Sequence, residues 1–303
     1  MLPGKSMNEK KMFFQENYDS IRTILMQEPR GNSGILAVLI PPSIPGTDYG
    51  VIFADYRGYV DMCVHGTIGV VSTLLECGLA SEKVLRSGKI SFDTSVGVVS
   101  ARFNFDKERV KSVTVSNVPS FFLHEESIEV PGFGKIQVSI AFGGNLYAYV
   151  NANSLGFKIT PANLTNILST ARLFLKELKK LKLPDTHETA GKEIIGVCFY
   201  EDLAERHSRN IMVADRDLFD RSPCGTGTCG RMAVLNAHGR LRVGETFRNE
   251  SILRTEFRGT ITKQSKTMGK LIITPEITGS AYLTGISDII VSEGDNLARG
   301  YHL

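Results

Sequence analysis

Two cysteines, Cys63 and Cys224, each stand at the head of the same short pattern. Cys63-Val64-His65-Gly66-Thr67-Ile68-Gly69 reads C-x-x-G-T-x-G, and so does Cys224-Gly225-Thr226-Gly227-Thr228-Cys229-Gly230. At the same offset of 161 positions the match continues, with Leu74 on Leu235 and Gly78 on Gly239. Six identities in sixteen positions, against roughly one expected by chance, indicate an internal duplication. Two copies of one half-domain, each presenting a thiol, can set two sulfurs on opposite sides of one cleft. Chemistry that removes a proton from one face of a carbon and adds one to the other needs that arrangement.

A cysteine at a strand-to-helix turn sits beside backbone N–H groups that have no helical partner. Those amides and the helix dipole favour a thiolate and lower its pKa towards neutrality. They also suit a substrate carboxylate. Removing a proton next to that carboxylate builds negative charge on it, so the amides stabilise the transition state more than the ground state. One sulfur then acts as thiolate base and the other as thiol acid, with coupled titration and roles exchanged in reverse.

The other residues near the pattern have plainer readings too. Cys77 and Cys198 read as small buried hydrophobes, and Cys229 as a core-facing position inside the second helix. His65 suits a site or a simple turn. Asp220, in Asp220-Arg221-Ser222-Pro223, suits a site or an Asx-type turn. A Cys–His hydrolase with Cys224 as nucleophile and His65 as base would leave Cys63 unexplained. No zinc-type cysteine spacing, dinucleotide fingerprint or P-loop is present, so neither a metal nor a nucleotide has support.

The elements that position the thiols repeat as well. A capping box, Ser6-Met7-Asn8-Glu9, opens a first helix with an apolar stripe of Phe13/Phe14, Ile21 and Leu25, ended by Pro29. Thr160-Pro161 opens its counterpart, in which Leu164, Ile167/Leu168, Ala171, Leu175 and Leu178 keep a helical period until Pro184. Strands are predicted at 34–40 and 51–55 in one half and at 194–200 and 211–215 in the other. Each second strand leads to a cysteine. Helices follow over 66–77 and 227–238, with Gly78 and Gly239 as left-handed caps. The outline is two similar α/β units rich in strand, each with a central apolar helix, joined near Asn151–Gly156. By symmetry the first half lacks an opening strand: either the C-terminal segment supplies it or the chain starts late.

The bulk composition agrees. The 303 residues are 42% hydrophobic and 22% charged, with a net charge of +3, as expected of a soluble globular protein without nucleic-acid or membrane partners. The N-terminus has no apolar signal region. Five cysteines without a framework spacing favour reduced thiols in the cytoplasm.

Taken together, these residues resemble the proline racemase family, which includes hydroxyproline 2-epimerases. The resemblance is carried by Met62 to Gly69, by Asp220 to Thr228, by Glu28-Pro29-Arg30-Gly31 and by Phe142-Gly143-Gly144-Asn145, and it covers essentially the whole chain. The C-G-T-G stretch is also similar to diaminopimelate epimerase, whose first cysteine motif differs. The resemblance implies an α/β (α+β) fold of two pseudo-symmetric domains, residues 1–155 and 156–303, each with mostly antiparallel strands wrapped around a central helix. A strand within 285–303 would join the first.

It further implies a homodimeric isomerase, independent of cofactor and metal, that inverts the α-carbon of proline or 4-hydroxyproline. By position, Cys63 and Cys224 would be the catalytic thiols. The amides of Val64, His65, Gly225 and Thr226 would hold the carboxylate, and His65 and Asp220 would contact the ring nitrogen or nearby substituents. Two departures stand out. Val64 replaces a glycine, and a valine cannot take a glycine-only backbone angle and adds bulk at the pocket. The family's opening strand, with its H-T-x-G-E-type motif, is absent, in line with the gap found by symmetry. Relatives that dehydrate 3-hydroxyproline carry threonine at the second cysteine position, so Cys224 argues for epimerisation. A dehydratase and an imino-acid-binding homologue with impaired turnover are the alternatives. His65-Gly66-Thr67 leans towards hydroxyproline.

Overall fold

The structure, a computed structural model, describes residues 2–32, 34–106, 109–183, 192–267 and 269–301. Helix α1 (Met7–Met26) begins where the capping box places it, with the Glu9 N–H donating to Ser6 Oγ at 3.2 Å. The Glu9 carboxylate accepts the Lys5 N–H at 2.8 Å. The buried face runs through Met7, Lys10, Phe14, Arg22 and Met26. It is not the expected stripe, since Ile21 is exposed. Two cations enter this face because backbone carbonyls receive them. Lys10 Nζ donates to the Pro41 and Pro42 carbonyls at 2.7 and 3.1 Å. Arg22 donates to the carbonyls of Asp55 and Tyr56 and pairs with Asp19.

β1 (Leu36–Ile40) and β2 (Tyr49–Ala54) form an antiparallel pair with Val38 opposite Ile52. The short β3 (Tyr59–Val60) pairs with β2. After α2 (Val64–Glu76) and α3 (Glu82–Ser87), β4 (Lys89–Thr94) returns parallel to β2. The path β2–α2–β4 is therefore a β-α-β crossover. β5 (Gly97–Asp106) and β6 (Arg109–Ser116) extend the sheet in the order β1-β2-β4-β5-β6.

The same order of elements recurs downstream. β7 (Ser120–Val130), β8 (Gly134–Phe142) and β9 (Leu146–Asn151) form an antiparallel meander. α4 (Leu164–Leu178) then buries Ile167, Ala171, Phe174, Leu175 and Leu178 against strand residues such as Val150, Val197 and Ile211. Pro184, expected to end this helix, lies outside the described residues. β10 (Ile194–Ala204) runs parallel to β9 and antiparallel to β11 (His207–Ala214). α5 (Gly225–Ala237) leads to β12 (Thr246–Glu250), parallel to β11, and β13 (Glu256–Thr267) and β14 (Lys270–Gly279) follow. β7 to β14 close into a ring through a β14–β7 pairing. α5 packs inside it against β7, β8, β9, β13 and β14, and every residue from Gly225 to Asn236 is buried.

By packing, the chain forms two compact units, Met1–Val115 with Ser280–Leu303, and Ser116–Gly279. The halves 1–155 and 156–303 expected from the sequence divide the chain differently from these units, by β7, β8, β9 and the tail. Arg30 holds that tail within the first unit, donating to the carbonyls of Ile290 and Leu297 and pairing with Asp295. Glu28 and Tyr301 exchange backbone hydrogen bonds beside it. No described helix is long and apolar enough to cross a membrane.

Candidate active site

Each thiol stands at the N-cap of a helix. Cys63 caps α2 and its Sγ accepts the Gly66 N–H at 3.3 Å. Cys224 caps α5 and its Sγ accepts the Gly227 N–H at 3.3 Å. The helices start two residues earlier than the pattern suggested, at Val64 and Gly225, so each cysteine is the cap itself. The C-x-x-G spacing has a local cause. A side chain at position 66 or 227 would place its Cβ 3.2 or 2.9 Å from the cysteine sulfur. At 227 that is closer than a Cβ comes, and at 66 it is tighter than ordinary contact, so glycine gives the sulfur room to reach the amide. The far ends match too, with Gly78 and Gly239 left-handed at φ +66° and +71° and i→i+5 closure from Leu79 to Leu74 and from Arg240 to Leu235.

In the first unit, Cys63, Val64 and His65 lie together at the start of α2. Val64 is the first helical residue and its side chain is buried. A helical backbone suits valine, so no glycine-only angle is required there. His65 is half-buried.

In the second unit, Asp220, Cys224, Gly225 and Thr226 lie together. Asp220 Oδ1 accepts the Ser222 N–H at 2.9 Å, forming the Asx-type turn, and Ser222 Oγ accepts the Cys224 N–H at 3.1 Å. Cys224 is buried, with Thr226 Oγ1 and Tyr147 Oη each 3.9 Å from Sγ and 2.8 Å from one another. Its backbone is left-handed, φ +55° and ψ 98°, a conformation that costs a residue with a Cβ roughly 1–3 kcal/mol.

Burial pushes the Cys224 thiol pKa well above its ordinary value, and the charges of Asp220 and Cys198 add to that. The Gly227 amide and the Thr226 hydroxyl oppose the rise without reversing it. This corrects the expectation that a helix start alone brings the thiol towards neutrality. Desolvation outweighs the amides here, and Cys224 is a neutral thiol at neutral pH. Burial likewise raises Cys198, and pushes Cys229 up to about 12. All five cysteines are unpaired, and no described cluster of His, Cys, Asp and Glu could hold a metal.

Several neighbours of Cys224 were not singled out from the sequence. Tyr147 and Tyr149 alternate along β9, so both face α5, and the Tyr149 hydroxyl donates to the Gly227 carbonyl at 2.9 Å. The period-two spacing of the tyrosines in Leu146-Tyr147-Ala148-Tyr149 was the available signal. Asn210, Thr228 and Asn249 all donate to the Pro223 carbonyl. No local pattern marks that convergence.

The profile of the family described as "Proline racemase" matches residues 1–302. The chain belongs to the proline racemase family. The proline racemase of Clostridioides difficile is 36% identical over 310 aligned positions, covering all of this chain and 91% of that enzyme. The 4-hydroxyproline 2-epimerase of Streptosporangium roseum is also 36% identical, covering all of this chain and 92% of its own.

Two solved structures superpose over the whole chain with a TM-score of 0.90. One is a probable proline racemase from Agrobacterium radiobacter K84 with bound carbonate, 27% identical and covered to 90%. The other is a hydroxyproline epimerase from Agrobacterium vitis with bound trans-4-hydroxy-L-proline, 25% identical and covered to 89%. A PhzF-family protein from Bacillus anthracis, 16% identical at TM-score 0.52 over 81% of each chain, shares the fold alone. The fold is α+β and diaminopimelate epimerase-like, and the chain is an isomerase of the amino-acid racemase and epimerase class.

Proposed function

We propose that the chain inverts the α-carbon of an imino acid, 4-hydroxyproline or proline, by a two-thiol mechanism. The repeat halves 1–155 and 156–303 each supply one thiol turn. Cys63 and Cys224 act on opposite faces of one carbon, one sulfur removing the α-proton while the other delivers its own. Each is at once a base in one direction and an acid in the other. The N–H groups of Val64, His65, Gly225 and Thr226 hold the carboxylate as charge builds on it. His65 and Asp220 contact the ring nitrogen or its neighbours.

One observation carries this reading. Both copies of the pattern place a cysteine at a helix N-cap with its sulfur on the third amide of the helix. The resting thiol of Cys224 suits the acid role in the first half-cycle. The relatives' names support an imino-acid substrate, and the hydroxyproline bound to the Agrobacterium vitis enzyme supports the hydroxylated ring for this chain. The test is to incubate L-proline and trans-4-hydroxy-L-proline in heavy water. Deuterium should enter the α-position as the optical rotation changes. Full inversion by either single Cys→Ser variant sinks the two-thiol mechanism.

A further inference from the structure

We infer that Asn249, Asn210 and Thr228 form a clamp on the Pro223 carbonyl that holds Cys224 in its left-handed conformation and so aims its sulfur. They are positioning residues, and the inference rests on Cys224 being a working thiol. The Pro223 carbonyl accepts from Asn210 Nδ2 at 3.0 Å, Thr228 Oγ1 at 3.0 Å and Asn249 Nδ2 at 3.3 Å. Asn249 Nδ2 also donates to Thr228 Oγ1 at 2.8 Å, which ties the donors together.

The geometry explains what these bonds do. Fixing the Pro223 carbonyl fixes the peptide plane on the N-terminal side of Cys224. On the other side, the Cys224 carbonyl accepts the Thr228 N–H at 2.6 Å in the first turn of α5. With both planes held, the rotation about the Cys224 N–Cα bond has no freedom left. The sequence pattern does not impose φ +55°, because Cys63 in the same pattern sits at φ −141°. There the Thr67 hydroxyl bonds the Cys63 carbonyl itself at 2.8 Å, one residue nearer than its counterpart reaches.

The clamp also has a cost that marks it as more than packing. Asn210 and Asn249 are 4% and 1% exposed, and among the described residues each leaves its Oδ1 without a partner. A buried unpaired acceptor destabilises a fold. Both amides accept that penalty while turning their N–H groups to one carbonyl.

The test uses Asn249→Leu, which keeps the shape and removes the donor, with Thr228→Val as a second variant should the first not fold. Asn249→Leu should lower kcat for α-proton exchange by about 100-fold with KM unchanged. Its Tm should hold, since the unpaired Oδ1 leaves with the donor. A purely structural asparagine would instead lower Tm and leave kcat per folded molecule intact. Activity-free evidence comes from Cys224→Gly, because glycine takes φ +55° without strain. That substitution should raise Tm more in the parent than in Asn249→Leu, where the turn has already relaxed. An equal shift in both backgrounds, or an unchanged kcat, overturns the clamp. A parent that exchanges no α-proton with either imino acid refutes the proposed function instead, and the Tm cycle still decides the clamp.

Discussion

At Cys63 the backbone is extended, φ −141°, and α2 leaves His65, Gly66, Gly69 and Val70 partly exposed. At Cys224 it is left-handed, φ +55°, and α5 is buried along almost its whole length. The shared features follow from the shared residues: a sulfur folded over a glycine amide, a helix of the same span, a left-handed glycine at its end. The differences follow from what each turn packs against. A tyrosine hydroxyl, a second buried cysteine and an amide clamp surround Cys224. The pattern therefore places a thiol at a helix start, while the tertiary surroundings decide its strain and its protonation.

The most demanding test of this contrast is loss of each thiol in turn. Cys63→Ser and Cys224→Ser should each lower inversion by about 10²–10⁴-fold, the usual worth of a positioned acid or base, measured as α-deuterium uptake. A large loss from one variant and none from the other would make the two turns functionally unlike as well as structurally unlike.

The buried thiols of the second unit set the sign of a stability prediction. Folded Cys198, Cys224 and Cys229 titrate above the ordinary thiol value of 9.0, so the unfolded chain releases these protons first as pH rises. Stability is fully present below that value and is lost as pH climbs towards the folded pKa values. The slope is about 1.4 kcal/mol per pH unit for each group. Urea midpoints at about pH 8 and about pH 10 should show the fall, with a shallower slope in Cys198→Ala. A flat profile would remove the burial argument.

Much of the thiol turns was legible because their determinants are local. Ser6 caps α1, the glycines at 66 and 227 make room for sulfur, and Gly78 and Gly239 end their helices. The sequence misled where a distant group decides. Lys10 and Arg22 face inward and Ile21 outward because carbonyls 31 to 34 residues away receive the two cations. A helical period cannot register that. The raised pKa of Cys224 was hidden for a similar reason, since desolvation depends on the ring of strands around α5. The strain at Cys224 was hidden too, being held by Asn210 and Asn249 from separate strands.

Protonation can also be read at Cys224 directly. Below its folded pKa the alkylation rate with iodoacetamide should rise about tenfold per pH unit. The slope, unlike the absolute rate, separates protonation from access to a buried sulfur. Labelling already on a plateau at neutral pH would mean a standing thiolate and would contradict the rise that burial imposes on Cys224.

The finest test uses one slot of the repeat. Gly69 and Gly230 occupy the same position in α2 and α5, yet a Cβ on Gly69 meets nothing within 4 Å among the described residues, while one on Gly230 runs into the Tyr149 hydroxyl. Gly230→Ala must push that ring aside and disturb its hydrogen bond to the Gly227 carbonyl. Overpacking of this kind costs about 1–3 kcal/mol. Gly69→Ala has only the backbone to consider, and inside a helix alanine gains about 0.5–1 kcal/mol over glycine. One substitution should therefore destabilise in the second copy and stabilise in the first, as read by urea denaturation. Shifts of the same sign at both sites would mean that the two helices are packed alike, and that the asymmetry at the cysteines arises within the turns themselves.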